Sequence, residues 1–310
     1  MIKLEGIKKL KYQIGEKMKK FKEKMSLLLL LPACTIFTLF IFWPILNTFY
    51  LSFFDWNMIS KNKKFIFLEN YMSIIKDGVI YKSLGNTFIY IFFLVILNFI
   101  LPYIIAYILA HLINKMKSFY RVMIFFPSII SLVVGSLIFL WIFNPMVGPV
   151  SKIYELFGVE STFWLKTNGL VILLVTLITA WKIFGYNLIL LLAGVLEVPI
   201  ELIESAKLDK LSNLQIFIYI VLPMTSSTSL YVLIITIIYG LQQVFVPINV
   251  LTQGGPNNGS TNLVYSIYQY AFTFFQTGRA SALAIITTLF FFVLISLKIK
   301  ILEKGVYYEN

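Results

Sequence analysis

Residues 201–223 read ELIESAKLDKLSNLQIFIYIVLP, a charged, helix-forming stretch set between two long apolar runs. Val198-Pro199 precedes it, and proline suits the first turn of a helix, where its missing N–H would be unpaired anyway. Glu201 and Glu204 follow where the helix dipole favours negative charge. The segment DKLSN interrupts that helix, and Ser212 with Gln215 has the spacing of a capping box for a second one. Leu222-Pro223 then turns the chain back into apolar sequence. The pattern predicts helix, turn, helix, with Leu202, Ile203 and Ala206 on one face of the first piece. A loop this structured between two membrane-length runs is a candidate contact for another protein.

Working outward, apolar runs lie at 27–54, 86–110, 122–143, 169–196, 224–248 and 280–297. Each is near or above the roughly 20 residues needed to cross the hydrocarbon of a bilayer. Only 13% of the 310 residues are charged, against about 25% in a soluble domain. The expected fold class is an all-α integral membrane protein with six transmembrane helices. The net charge of +12 does not point to nucleic acid, because nine lysines gather between residues 3 and 24. That arm reads either as an amphipathic segment on anionic membrane lipid or as a solvated tail serving topology. With the N-terminus inside, the inner segments carry 17 Lys and Arg and the outer ones 8, so both termini are expected to be cytoplasmic.

The expected organisation is a basic arm over 1–25, a first transmembrane helix over 26–54 and an extracytoplasmic segment over 55–85. A five-helix core follows over 86–302, with its cytoplasmic loop at 197–223, and a tail over 303–310. In the outer segment LENYMSIIKD has helical spacing, and Asn86 and Thr87 open the second span. NPMVG at 144–148 is a turn cluster, and SKIYELFGV after it suits a short amphipathic helix. QGGPNNGS at 253–260 is an outer loop. The aromatic stretch NLVYSIYQYAFTFF is expected at the outer membrane interface.

The spacing Glu204-Ser205-Ala206, three residues, Lys210, nine residues, Ile220-Val221-Leu222-Pro223 resembles the "EAA" motif of permease subunits in binding-protein-dependent ABC importers. SFFDWN, LENY, NTFIY, FFPSII, WIFNP, LAGVLEVPIEL, VLTQGGP, LVYSIYQYAF and ASALA narrow the resemblance to carbohydrate-uptake permeases of the maltose, lactose and glycerol-3-phosphate type. The resemblance implies a type I importer permease fold in the cell membrane. It also implies three partners: a second similar permease, a pair of ATPase subunits and an extracytoplasmic sugar-binding protein. The loop would couple to the ATPase through Glu204, Ser205, Ala206, Asp209, Lys210, Ile220, Leu222 and Pro223. ATP and Mg would sit on the ATPase, with no cofactor in this chain. Lys210 departs from the family's usual Gly; if that Gly serves a left-handed turn, Lys there costs about 1 kcal/mol or more, so either the bend is reshaped or Asn213 takes over the left-handed position.

Absences narrow the chemistry. The sequence has no G-x-x-x-x-G-K-[ST] to cradle phosphates, and no Asp or Glu lies inside an apolar run, against a carboxylate-relay carrier. One His and one Cys make no metal cluster, and the chain is not expected to be an enzyme. A self-contained secondary carrier or channel for a small polar solute is the alternative reading. Lys182 is the one ionisable residue deep in a span, where such groups face a water-filled cavity or a partner. With Thr179, Trp181 and Tyr186, and with Tyr239, Gln242 and Gln243 of the next span, it is expected to line a sugar pathway. Helix-to-helix packing is the competing role for each. A cation without a carboxylate partner in its own chain also raises the possibility of an anionic substrate.

Overall fold

The computed structural model describes residue 25, residues 28–113 and residues 115–302. Apart from Met25, the basic arm lies outside the described residues, as does the tail over 303–310. The first helix, α1 (Leu28–Leu51), is apolar all round and exposed over nearly its whole length, as befits a helix whose neighbours are lipid or another subunit. A short antiparallel pair follows, β1 (Phe54–Asp55) with β2 (Lys64–Phe65), Phe54 opposite Phe65 and Asp55 opposite Lys64. It is the one departure from all-α structure among the described residues.

After α2 (Glu69–Ile75), α3 (Gly78–Leu112) starts where the Asp77 carboxylate accepts from the Val79 N–H at 2.9 Å. The helix therefore begins at Gly78, ahead of the apolar run at Asn86, because a capping side chain sets the boundary rather than hydropathy. Inside α3, Pro102 has no N–H to offer the Asn98 carbonyl four residues back. The helix widens there into a π turn over Ile96–Ile100.

The third apolar run is not one straight helix. It forms α4 (Lys117–Ile129) and α5 (Leu132–Ile142), bent by 99°. Pro127 sits in a 3₁₀ turn over Phe126–Ile129, and Ile130 is extended with ψ 139°. Hydropathy is blind to such a break, because the residues next to it, from Val122 to Ile130 and from Leu132 onward, are mostly apolar on both sides.

Then come α6 (Pro149–Leu156) and α7 (Leu170–Leu196), the hub against which α3, α4 and α5 pack. The polar stretch forms α8 (Ile200–Leu208) and α9 (Asn213–Met224) and leads into α10 (Ser226–Thr252), which also packs on α7. Last are α11 (Leu263–Tyr268) and α12 (Thr277–Leu302). Among the described residues, five helices are long and apolar enough to cross a membrane, or six if the α4–α5 pair counts as one span. Between apolar helices in lipid, close van der Waals approach holds the pair together. At Gly185 of α7 a Cβ would lie 2.4 Å from the Ile124 carbonyl oxygen, so α4 and α7 touch backbone to backbone.

The aromatic stretch after residue 262 is buried along part of its length, while Phe272, Phe274 and Phe275 stay exposed. Leu263, Tyr265, Tyr270 and Ala271 are buried. Polar residues of α3 pull the preceding loop in: Asn86 Nδ2 donates to the carbonyls of Asn258, Gly259 and Thr261, and the Tyr90 hydroxyl donates to that of Ser260. Asp77 closes the same end, accepting from the Tyr270 hydroxyl and the Arg279 guanidinium, each at 2.5 Å. Burial works to raise the Asp77 carboxyl, but Tyr270, the Val79 N–H and Arg279 outweigh it and hold it below 3.8. Burial, reinforced by the bond to Asp77, pushes the Tyr270 phenol up to about 12.

Candidate functional site

The α8–α9 hairpin has two faces of opposite character. Ile203, Ala206, Ile216 and Val221 are buried in one cluster with Tyr107 and Leu109 of α3 and Leu188, Leu191 and Val195 of α7. Phe217 lies with its ring 5.2 Å from that of Tyr103 and 5.3 Å from that of Tyr107. The Tyr103 hydroxyl is hydrogen-bonded to Thr225 Oγ1 where the hairpin runs into α10. On the other face Glu204, Ser205, Asp209, Lys210 and Leu222 are exposed, while Ile220 and Pro223 are half-buried. Leu208 is 84% and Leu214 67% exposed, a large apolar offering set among the charged Glu204, Asp209 and Lys210. Leu202, expected on the inner face, is 43% exposed; two inward positions suffice to seat so short a helix.

The turn between the two helices is built from its own residues. The Leu211 N–H donates to the Ala206 carbonyl and the Lys210 N–H to that of Lys207, both at 3.0 Å, the two bonds of a Schellman motif. Lys210 takes its left-handed position with φ +62°, at a strain of about 1–2 kcal/mol for a residue with a Cβ. Asn213 is already helical, so the left-handed position has not moved there. Ser212 and Gln215 complete their capping box in both directions. Pro199 stands just before α8 as its N-cap rather than in its first turn.

Lys182 has found its partners in the broken span. Its ammonium donates to the Ser128 carbonyl and, at 2.6 Å, to that of Ile130. In return the Ser128 hydroxyl donates to the Lys182 carbonyl at 3.0 Å. The break leaves helix-end carbonyls without N–H partners, and a cation at a helix C-terminus also suits the dipole.

The other residues expected in a pathway divide. Thr179 is fully buried and gives its hydroxyl to the Val175 carbonyl of its own helix. Trp181 packs edge-on to Phe139 at 5.6 Å and covers Gly135. It also lines an apolar cleft of about 440 Å³ with Leu97, Pro127, Phe139, Leu177 and Phe184. Tyr186, Tyr239 and Gln242 are exposed and Gln243 is half-buried, so these four keep their polar groups available.

A further polar group is fully buried where α3, α7 and α10 meet. Asn187 Nδ2 donates to the Asn98 carbonyl at 2.6 Å and to Thr236 Oγ1 at 2.8 Å. It thereby serves the carbonyl that Pro102 leaves free. The sequence signal was Asn98-x-x-x-Pro102, which marks an orphaned carbonyl in an apolar helix. Nothing local to the chain says that Asn187 answers it.

Repeated crossings of a bilayer, a capped polar hairpin seated on two of the crossing helices, and polar groups held among them define a multi-pass membrane subunit of a transport system. The chain belongs to the binding-protein-dependent transport system inner membrane components, whose family pattern matches residues 103–306. It is the permease subunit of an ABC importer, and not itself an enzyme. Among similar proteins, the probable ABC transporter permease YurN of Bacillus subtilis is 32% identical over 281 residues, covering 90% of this chain and 96% of its own length. The multiple sugar-binding transport system permease MsmF of Streptococcus mutans is 32% identical, covering 86% and 90%. The sn-glycerol-3-phosphate transport system permease UgpA of Agrobacterium fabrum is 28% identical, covering 91% and 95%. In fold, the chain matches one from the crystal structure of a bacterial ABC transporter that imports the acidic polysaccharide alginate. That match has a TM-score of 0.79 at 19% identity and covers 92% of this chain and 98% of the other.

Proposed function

We propose that this permease forms half of the translocation path of an ATP-driven importer for a sugar or sugar-like polyol. The α8–α9 hairpin is the element through which ATPase closure tilts the spans. The carrying observation is the hairpin's two-sidedness: Ile203, Ala206, Ile216 and Val221 are buried against α3 and α7, while Glu204, Ser205, Asp209 and Leu208 are exposed. A push on the exposed face is passed to α7 through packed side chains. On this reading the fold is of the type I importer kind with both termini cytoplasmic. The chain pairs with a second, similar permease, two ATPase subunits that hold ATP and Mg, and an extracytoplasmic sugar-binding protein. Glu204→Lys tests it: membrane insertion should persist while ATPase subunits no longer co-purify and uptake is lost. Normal co-purification with full uptake would overturn the reading.

Sugar or polyol is the substrate class because the relatives are named for multiple sugars and glycerol 3-phosphate. Trp181 and Tyr186 supply faces for sugar rings, and Tyr239, Gln242 and Gln243 supply hydrogen-bonding groups. Thr179 joins them only if its bond to Val175 opens. Lys182 would meet an anionic substrate only by leaving the carbonyls of Ser128 and Ile130. Uptake of a neutral and an acidic sugar by a Lys182→Met variant separates the two roles. Selective loss of the acidic sugar marks a substrate cation, and equal loss of both marks a clamp on the bend.

A further inference from the structure

The group at the meeting of α3, α7 and α10 is satisfied on one side only. Asn187 Nδ2 is committed to the Asn98 carbonyl and Thr236. Asn187 Oδ1 and both polar atoms of the Asn98 carboxamide are buried and meet no partner among the described residues. Asn98, Asn187 and Thr236 are each 0–1% exposed. Such atoms are costly to leave unpaired, and nowhere more so than among apolar helices. Leucine has almost the shape of asparagine and would remove the orphaned atoms of Asn98 altogether.

One neighbour shares a face with the group: Thr236 precedes the exposed Tyr239 by three residues, about one turn of α10, and residues so spaced lie on the same side of a helix. Tyr239 is a candidate for the path. Asn98, Asn187 and Thr236 stand on three different helices, α3, α7 and α10, so a tilt of α7 of the kind proposed above would move Asn187 against the other two.

We infer that Asn98, Asn187 and Thr236 form a second polar station on the translocation path, shut in the conformation described and opened to water and substrate hydroxyls in another. Two carboxamides and a hydroxyl suit a neutral polyhydroxyl segment, which both donates and accepts. The orphaned atoms are held for that state, in keeping with the rule that local packing rules are broken where function requires it. This inference rests on the transport reading and deepens it.

The test uses the whole importer, assembled with its ATPase subunits, in a Cys34→Ser background. Thr236→Cys and Asn98→Cys are labelled with a small, charged methanethiosulfonate reagent in the nucleotide-free and vanadate-trapped states, with Tyr239→Cys as the accessible control. Labelling of either buried position in one state and not the other is the expected result. Silence at both positions in both states, with the control labelled, overturns the inference. Asn98→Leu supplies a readout independent of cysteine: its melting temperature should be unchanged or raised, and a fall would show that the carboxamide is a satisfied structural group. Should the chain fail to co-purify with ATPase subunits at all, the transport reading fails first, and the two failures are told apart.

Discussion

The α8–α9 hairpin and the α4–α5 break are both pairs of short helices fastened to α7, yet they are held by opposite means. The hairpin carries its own instructions: a capping box, a Schellman turn and inward residues at Ile203, Ala206 and Ile216 all lie within the stretch. The break is finished from outside, by a lysine 52 residues away from the Ile130 carbonyl it holds. The difference separates structure encoded locally from structure that exists only once distant helices meet.

The largest expected effect falls on the hairpin's outer face. Glu204→Lys should abolish uptake while leaving the melting temperature of the permease unchanged, since that side chain is exposed. Next is the contact that fixes the break. Gly185→Ala drives a Cβ to 2.4 Å from the Ile124 carbonyl, and overpacking of that kind destabilises by about 1–3 kcal/mol or more. A lowered thermal midpoint in detergent or nanodiscs checks it, and an unchanged one would show that α4 is free to move off α7. Lys182→Met leaves the Ser128 and Ile130 carbonyls without their donor, each loss worth about 1–3 kcal/mol. A lowered thermal midpoint in detergent or nanodiscs checks this too, and an unchanged one would show that the break holds without the lysine.

Smaller effects sharpen the contrast. Asp77 is held below 3.8 in the folded chain, so the stability it contributes is full at neutral pH. It is lost as pH falls below 3.8 through the depressed value. Asp77→Asn should flatten that acid limb of a melting-temperature profile. The smallest change is at the turn: Lys210→Gly relieves the left-handed strain and should stabilise by about 1 kcal/mol, less the entropy glycine adds to the unfolded chain. Uptake should be unaltered if the turn is only a connector.

How much was legible follows the same division. The capping box and the shared face of Ile203 and Ala206 could be read, because each depends on residues within a few positions of one another; the left-handed position was expected in a reshaped bend or at Asn213 and falls at Lys210. The start of α3 at Gly78 was not read, because hydropathy rises only at Asn86, nor was the 99° bend, because the residues next to it are apolar on both sides. Lys182 was singled out correctly as a group in need of a partner, but backbone carbonyls exposed by a break 52–54 residues earlier leave no trace in composition. The partners of α11 were not read for a related reason: the contacts of Asn86, Thr87 and Tyr90 on α3 with the chain around residues 260–263 join residues 170 to 176 positions apart.

The contact at Gly185 has a mechanical consequence. Two helices that touch main chain to main chain cannot slide along each other without opening a gap that nothing nearby can fill. With Ser128 and Lys182 bonded reciprocally a turn away, α4 and α7 travel as one rigid block. On the proposed coupling, a tilt delivered at Val198 would be carried as far as Pro127, with the axle of the motion beyond the pair rather than between them.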